Sequence, residues 1–300
     1  MCSTSMLYSH TYTLMILSFT TAANHDTSPL CRRLSNCAAD INSWSQSRHL
    51  QRNASKTEII WFGSRSNLLK LRNTDSSLQV GSSQIQPSTV VRDLGLHLDS
   101  ELSMSQHIAK VAATCFYHLR RLRQIRRRVG TEVTIRLVLA VVMSRVDYCN
   151  STLAGLPQST LAPLQRVQNA AARLVFELGS REHVTPCLLQ LHWLPVRWRI
   201  QFKLCCMMHA VCYGNIPVYL ANIVHPTNAG RFRRRLRSAS SSDYTLQCHD
   251  FVLNLAGRAF SHAGPAAWNA LPEDIRSNCD RVAFRKQRKT HFFGLAFNVR

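Results

Sequence analysis

From Ile108 onward the apolar residues recur at steps of three and four: Ile108, Val111, Cys115, Leu119, Leu122, Ile125 and Val129. That period predicts one helix over 107–129, about six turns long, with a single buried stripe. Ser103 followed by Gln106 has the spacing of a capping box at its start, and Gly130 marks its end. Thr131 can cap a second helix, with Ile135, Val138, Leu139, Val142 and Val146 on one face. Gly155 and Pro157 interrupt the pattern. A third helix is predicted over 160–178 on Leu161, Leu164, Val167, Ala171, Leu174 and Leu178, with Pro163 in its first turn, where proline is tolerated. A fourth apolar segment runs from Pro195 to Gly214.

The flanks have a different texture. Residues 24–52 are polar. "KTEIIWF" (56–62) is β-branched and aromatic and predicts a strand; "TVVRDLGLHLD" (89–99) alternates and predicts a second. Between them, Gly81 and Pro87 punctuate a stretch of loop. Residues 225–250 form a basic, serine-rich linker. Beyond it, "GRAFSHAGPAAWNALPEDIRS" predicts a loop-rich module that ends in a basic amphipathic segment. No internal repeat of fixed period is present. The chain divides on these grounds into 1–52, 53–102, 103–224, 225–250 and 251–300, and its fold class is mainly α with a small β remnant.

Composition adds one strong constraint. The 300 residues hold 37 Lys+Arg against 16 Asp+Glu, a net charge of +21. An excess that large points to a polyanionic partner, nucleic acid or an anionic membrane surface. No run reaches the ~18 apolar residues of a membrane span. Residues 14–23 have the apolar part of a secretion signal, but residues 1–13 contain no Lys or Arg, so no signal peptide is read there and the chain is assigned to the nucleus or cytoplasm. The 11 cysteines are irregularly spaced and read as reduced thiols; a secreted disulfide framework is the competing reading. Of Cys205, Cys206, His209 and Cys212, three lie at i, i+4 and i+7 on one helical face, yet the spacing fits no zinc motif, and thiols of the core are the default.

The basic residues fall in clusters. The helix 107–129 carries Lys110, Arg120, Arg121, Arg123, Arg126, Arg127 and Arg128 off its stripe, with no acidic residue among them to pair at i,i+4. A solvated face is the ordinary fate of such a run; contact with phosphates is the functional reading favoured here. "RFRRRLRS" adds Arg231, Arg233, Arg234 and Arg235, a nucleic-acid contact or a nuclear-import signal. "FRKQRKTHFF" (284–293) is a third patch, where an interfacial membrane helix is the alternative.

Several ordered blocks carry a family likeness: "NASKTEIIWFG", "RDLGLHLDSELSMSQHIAKV", "RVDYCNSTLAGLP", "LAPLQRVQNAAARLV" and "TPCLLQLHWLPVRWRIQFKLCCMMHA". Across roughly residues 24–297 the chain resembles the C-terminal part of reverse transcriptases of non-LTR (LINE-type) retrotransposons. The resemblance implies palm-edge strands, then a thumb-like helical bundle that grips a template–primer duplex through its backbone. It implies that Lys56 lies near the phosphates of an incoming nucleotide, against the plainer reading of a solvated turn lysine. It also implies a primer-grip role for Leu94 and Gly95, against an ordinary strand end.

In that family a Tyr-Ala-Asp-Asp box supplies carboxylates for a magnesium pair, the natural hard ligands for that ion. Here Tyr12 is followed by Thr13, Leu14, Met15 and Ile16, so the aspartates are absent and no metal cofactor is expected. The apolar run itself has a codon-level explanation. Ala-Asp-Asp-Ser-Gln-Phe-Tyr, written GCT GAT GAT TCT CAG TTT TAC, reads Leu-Met-Ile-Leu-Ser-Phe-Thr in the neighbouring frame, which is residues 14–20 as they stand. The functional expectation is a polymerase-inactive fragment that retains non-specific nucleic-acid binding. A co-opted helical interaction protein and a genomic relic without function are the alternatives, and protein partners are not specified. Sequencing the coding DNA tests the frame explanation: codons 14–20 are expected to spell the two aspartates in the adjacent frame.

Overall fold

The computed structural model describes residues 5–7, 14–16, 28–50, 56–71, 77–80, 83–226, 243–246 and 256–299. The chain divides into two units, Met1–Ser103 and Met104–Arg300. The described residues are mainly helical, with three small antiparallel strand pairs.

In the first unit, β1 (Ser5–Leu7) pairs with β2 (Leu14–Ile16), Met6 opposite Met15. The polar stretch after it forms a 20-residue helix, α1 (Ser28–Ser47). Its buried positions Leu34, Ala38 and Ser45 are mostly small, which is why no apolar stripe stands out in the sequence. His49, at φ 56°, turns the chain out of the helix, with the amide of Leu50 donating to the Ser45 carbonyl at 2.9 Å. Leu34 and Ala38 pack against Leu78, with Ile59, Trp61 and Ile85 around them. The stretch between the two expected strands is more ordered than loop. It forms α2 (Arg65–Leu71), whose Asn67 amide donates to the Ser64 hydroxyl oxygen, and the hairpin β3 (Leu78–Val80) and β4 (Ser83–Ile85).

Both expected strands are corrected. "KTEIIWF" makes only an isolated parallel bridge, Ile59 to Pro87, beside a short 3-10 turn at Lys56. Proline has no N–H with which to extend a ladder, so the pairing stops there. "TVVRDLGLHLD" is not one strand but a hairpin, β5 (Val90–Asp93) and β6 (Leu96–Asp99). Leu94 and Gly95 turn it with φ 44° and 87°, both left-handed, the conformation that a two-residue hairpin loop requires.

The second unit is helical among its described residues. Its first helix, α3 (Ser105–Val138), is interrupted at Gly130, where φ is 70° and ψ 176°. A Cβ built at Gly130 meets nothing within 4 Å, so glycine is required there by backbone conformation and not by space. The chain doubles back at this point. A π-helical turn (Leu139–Met143) and α4 (Ser144–Asp147) bring Val142 beside Cys115, whose thiol points at the Val142 carbonyl at 3.7 Å. The expected capping box is absent: Met104 occupies the N-cap in a left-handed conformation, while the amide and hydroxyl of Ser103 both donate to Asp99.

The next helix, α5 (Gln158–Phe176), packs along α3 through Leu161, Leu164, Val167, Ala171 and Leu174. Its start at Gln158 places Pro163 in the second turn, not the first. The short α6 (Thr185–Gln190) follows, then α7 (Val196–Cys212). Gln168, fully buried, donates to the Leu194 carbonyl at 2.8 Å, and Gln165 accepts from the Val196 amide at 2.9 Å. Two glutamine side chains of α5 thus set the position at which α7 begins. Arg199 of α7 closes a two-pronged ion pair on Asp147, its Nε 2.7 Å from Oδ1. A four-residue helix, α8 (Val218–Ala221), comes after α7.

The C-terminal segment is not loop-rich. It folds into α9 (Phe260–Asn269), α10 (Glu273–Arg276) and α11 (Arg281–Phe297), which share a core with α7. Gly264 permits the approach of α9, since a Cβ there would lie 2.9 Å from the Met208 sulfur. Asp280 caps α11 by accepting from the amides of Val282 and Ala283. His209 sits at the centre, stacked on Phe284 at 4.1 Å and near Trp268, with Nε2 donating to the Asn278 carbonyl at 3.1 Å.

Burial pulls His209 below its ordinary pKa, opposed by the Asn278 hydrogen bond and reinforced by Arg288 and Arg281. The unfolded chain then binds a proton more readily than the folded one. Stability is therefore expected to fall as pH drops below about 6.5, the ordinary histidine value, in urea unfolding followed across pH. His209→Gln is expected to reduce that slope without abolishing it, because His118 is shifted in the same direction.

Candidate nucleic-acid interface

The stripe that faces the core along α3 runs Ile108, Ala112, Cys115, Leu119, Leu122 and then Arg126, at alternating steps of four and three. The sequence reading assigns the last of these places to Ile125, yet Ile125 is 39% exposed and Arg126 only 7%. Arg126 therefore leaves the set of phosphate-facing candidates. Its Nε donates to the Leu174 carbonyl at 3.2 Å, and one Nη donates to the Val175 carbonyl at 2.8 Å and to the Thr131 hydroxyl at 2.9 Å. The last carbonyls of a helix have no partner within it and carry the negative end of its dipole, so a guanidinium is a fitting cap.

The other six Lys and Arg residues of this helix before Gly130, Lys110, Arg120, Arg121, Arg123, Arg127 and Arg128, are exposed. Helical spacing sorts them into two rows. Arg120, Arg123 and Arg127 form one; Lys110, Arg121 and Arg128 form the other. No acidic residue lies in the helix before Gly130. Arg136 differs, since it pairs with Glu132 at 2.6 Å. His118 registers the field of this face: desolvation lowers its pKa, and Arg145 and Arg121 lower it further. Arg145, exposed on α4, is a member of the face that sequence reasoning missed. It is separated from the cluster along the chain, and only the reversal at Gly130 brings it near.

The remaining candidates lie elsewhere. Lys56 is exposed beside the 3-10 turn in the first unit. Leu94, 54% exposed, and Gly95 form the tip of the β5–β6 hairpin. Arg231, Arg233, Arg234 and Arg235 fall outside the described residues. Three further arginines are half or fully buried and engaged with partners. Arg199 is held by Asp147, Arg276 by Asp243 and by Glu273 at 2.6 Å. Arg288, fully buried within the third basic patch, lies over the Phe202 ring at 3.7 Å and donates to the Cys206 sulfur at 2.9 Å.

The cysteine and histidine cluster of α7 does not converge. Cys205 points at the Ala267 carbonyl at 3.5 Å, Cys206 at Arg288, and His209 at Asn278. Burial raises the Cys205 thiol to about 12 and the Cys115 thiol to about 11, so neither is a ready thiolate. Among the described residues no group of three or more His, Cys, Asp or Glu is placed to hold a metal ion. Nor is any described helix long and apolar enough to cross a membrane.

Arg126 and Arg127 differ in role despite being neighbours. In chemical denaturation Arg126→Ala is expected to cost about 3 kcal/mol, because it leaves the Leu174 and Val175 carbonyls without their charged donor. Arg127→Ala is expected to stay within about 0.5 kcal/mol of the parent, as exposed substitutions do. Comparison with known proteins returns no matching family model, no matching curated protein and no matching solved structure.

Proposed function

We propose that this chain binds nucleic acid through the phosphate backbone, without reading base sequence, and that the exposed basic face of α3 is the contact. The observation that carries the reading is six exposed cations on one helix with no carboxylate among them before Gly130. Such a face meets its electrostatic complement in a polyanion, with counterion release as the driving force. The five arginines and one lysine stand on a rigid scaffold, because α3 is packed along α5 and tied to its end by Arg126.

The resemblance to non-LTR reverse transcriptases supports the same partner, since the corresponding helix there belongs to the thumb. It also bears on chemistry. Leu14, Met15 and Ile16 stand where that family keeps its metal-binding carboxylates, and none offers an oxygen ligand. These residues do not fit a magnesium pair, so the proposal assigns no nucleotidyl transfer to the chain.

Fluorescence anisotropy with a generic duplex, titrated from about 50 to 200 mM salt, tests this reading. The logarithm of affinity is expected to fall linearly with the logarithm of salt, by roughly 0.9 per phosphate neutralised. Joint replacement of Arg120, Arg123 and Arg127 by Gln is expected to flatten the slope by about three such steps. Affinity that is indifferent to salt would refute the proposal.

A further inference from the structure

Each basic row on α3 also carries an exposed aromatic ring in the same helical register. Phe116 precedes Arg120, Arg123 and Arg127 at i+4, i+7 and i+11. Tyr117 precedes Arg121, Gln124 and Arg128 at the same three steps. Phe116 is 36% and Tyr117 47% exposed, although the core of the unit has room for aromatic residues such as Trp268 and Phe284, both fully buried. Burial would stabilise the fold, so the two rings on the charged face call for another explanation.

Their setting fixes how they are displayed. Arg121 donates to the Tyr117 phenol oxygen at 2.9 Å, and its guanidinium lies 5.7 Å from the ring centre. The His118 ring meets Tyr117 edge-on, 5.4 Å between centroids at 71°. Tyr117 is thus held between two neighbours while a large part of its surface stays open. A backbone-only contact with a stacked duplex has no use for exposed rings, because duplex bases show their edges and not their faces. Unpaired bases do show their faces, and base–aromatic stacking beside a cationic track is how single strands are held without regard to sequence.

We infer that Phe116 and Tyr117 are stacking platforms for unpaired bases, and that the two aromatic-led rows form a track for single-stranded nucleic acid, RNA or DNA. This rests on the phosphate-binding reading of α3 and narrows its ligand. The arginines of each row take successive phosphates on one side of the rings, and bases turned toward the helix lie against them. The hydroxyl of Tyr117 is engaged by Arg121 and is not needed for stacking, so phenylalanine can replace tyrosine there.

The test uses the full chain with oligo-dT, oligo-rU and a DNA duplex of matched length at one salt concentration. The parent chain is expected to bind both single strands more tightly than the duplex. Tyr117→Ala combined with Phe116→Ala is expected to lower single-strand affinity roughly tenfold or more, with duplex affinity unchanged. The unchanged duplex arm also reports that the variant is folded. Tyr117→Phe is expected to bind single strands like the parent. Unequal losses for oligo-rU and oligo-dT would show which of the two strands the track serves and would uphold stacking. Equal loss in single-strand and duplex arms, or no loss in either while the duplex still binds, would overturn the stacking inference and leave phosphate binding standing. Absence of binding to all three probes would overturn both.

Discussion

The contact between Arg126 and the last carbonyls of α5 holds the helical unit in the arrangement that everything else uses. It lies where three constraints meet. Gly130 adopts a conformation only glycine accepts readily, and it ends the first run of α3. The core-facing register brings the next position to residue 126. The carboxyl end of α5 arrives there with Leu174 and Val175 carbonyls that need donors. A buried guanidinium without such partners would be costly, and a buried helix end without a donor equally so. Each resolves the other, and α3 and α5 are fixed end to end as well as face to face.

Other arginines of this chain, whose net charge is +21, are also drawn into the fold. The cations among the described residues differ in their settings. Some are half or fully buried against partners: Arg126 on carbonyls, Arg199 on Asp147, Arg276 on Asp243 and Glu273, and Arg288 on aromatic faces and a thiol through one Nη, its Nε and other Nη making no hydrogen bond. Others stay exposed, six of them on α3 before Gly130, where water screens their mutual repulsion. The charge clusters that look alike in the sequence therefore do different work. A basic run does not identify an interface until the matched members have been removed from it.

Much of the helical unit is legible from period alone. Most of the stripe of α3 as far as Leu122, the stop at Gly130, the α5 face and the extent of α7 follow from spacing of three and four and from Gly and Pro punctuation. The β segments were harder for a physical reason. In "TVVRDLGLHLD" the alternation continues through Leu94-Gly95, so the two arms of a hairpin look like one strand until Leu94 and Gly95 are found at positive φ. In α1 the buried positions are leucine, alanine and serine, too weak a pattern to register. In α9, Gly264 and Pro265 suggest a loop, yet glycine is there for close packing against Met208.

The amino-acid sequence by itself determined the helical periods, the excess of cations, the lack of carboxylates at residues 14–16 and the acid-free basic run, because composition and local spacing are properties of the chain. It could not separate Arg126 from its neighbours, bring Arg145 to their face, or decide that the rows carrying Phe116 and Tyr117 stay exposed. Those follow from which side of α3 meets α5 and from where the chain turns at Gly130. Only tertiary packing chooses that side, since one residue of rotation about the helix axis moves a side chain by about 100° and decides whether an arginine is a cap or a contact.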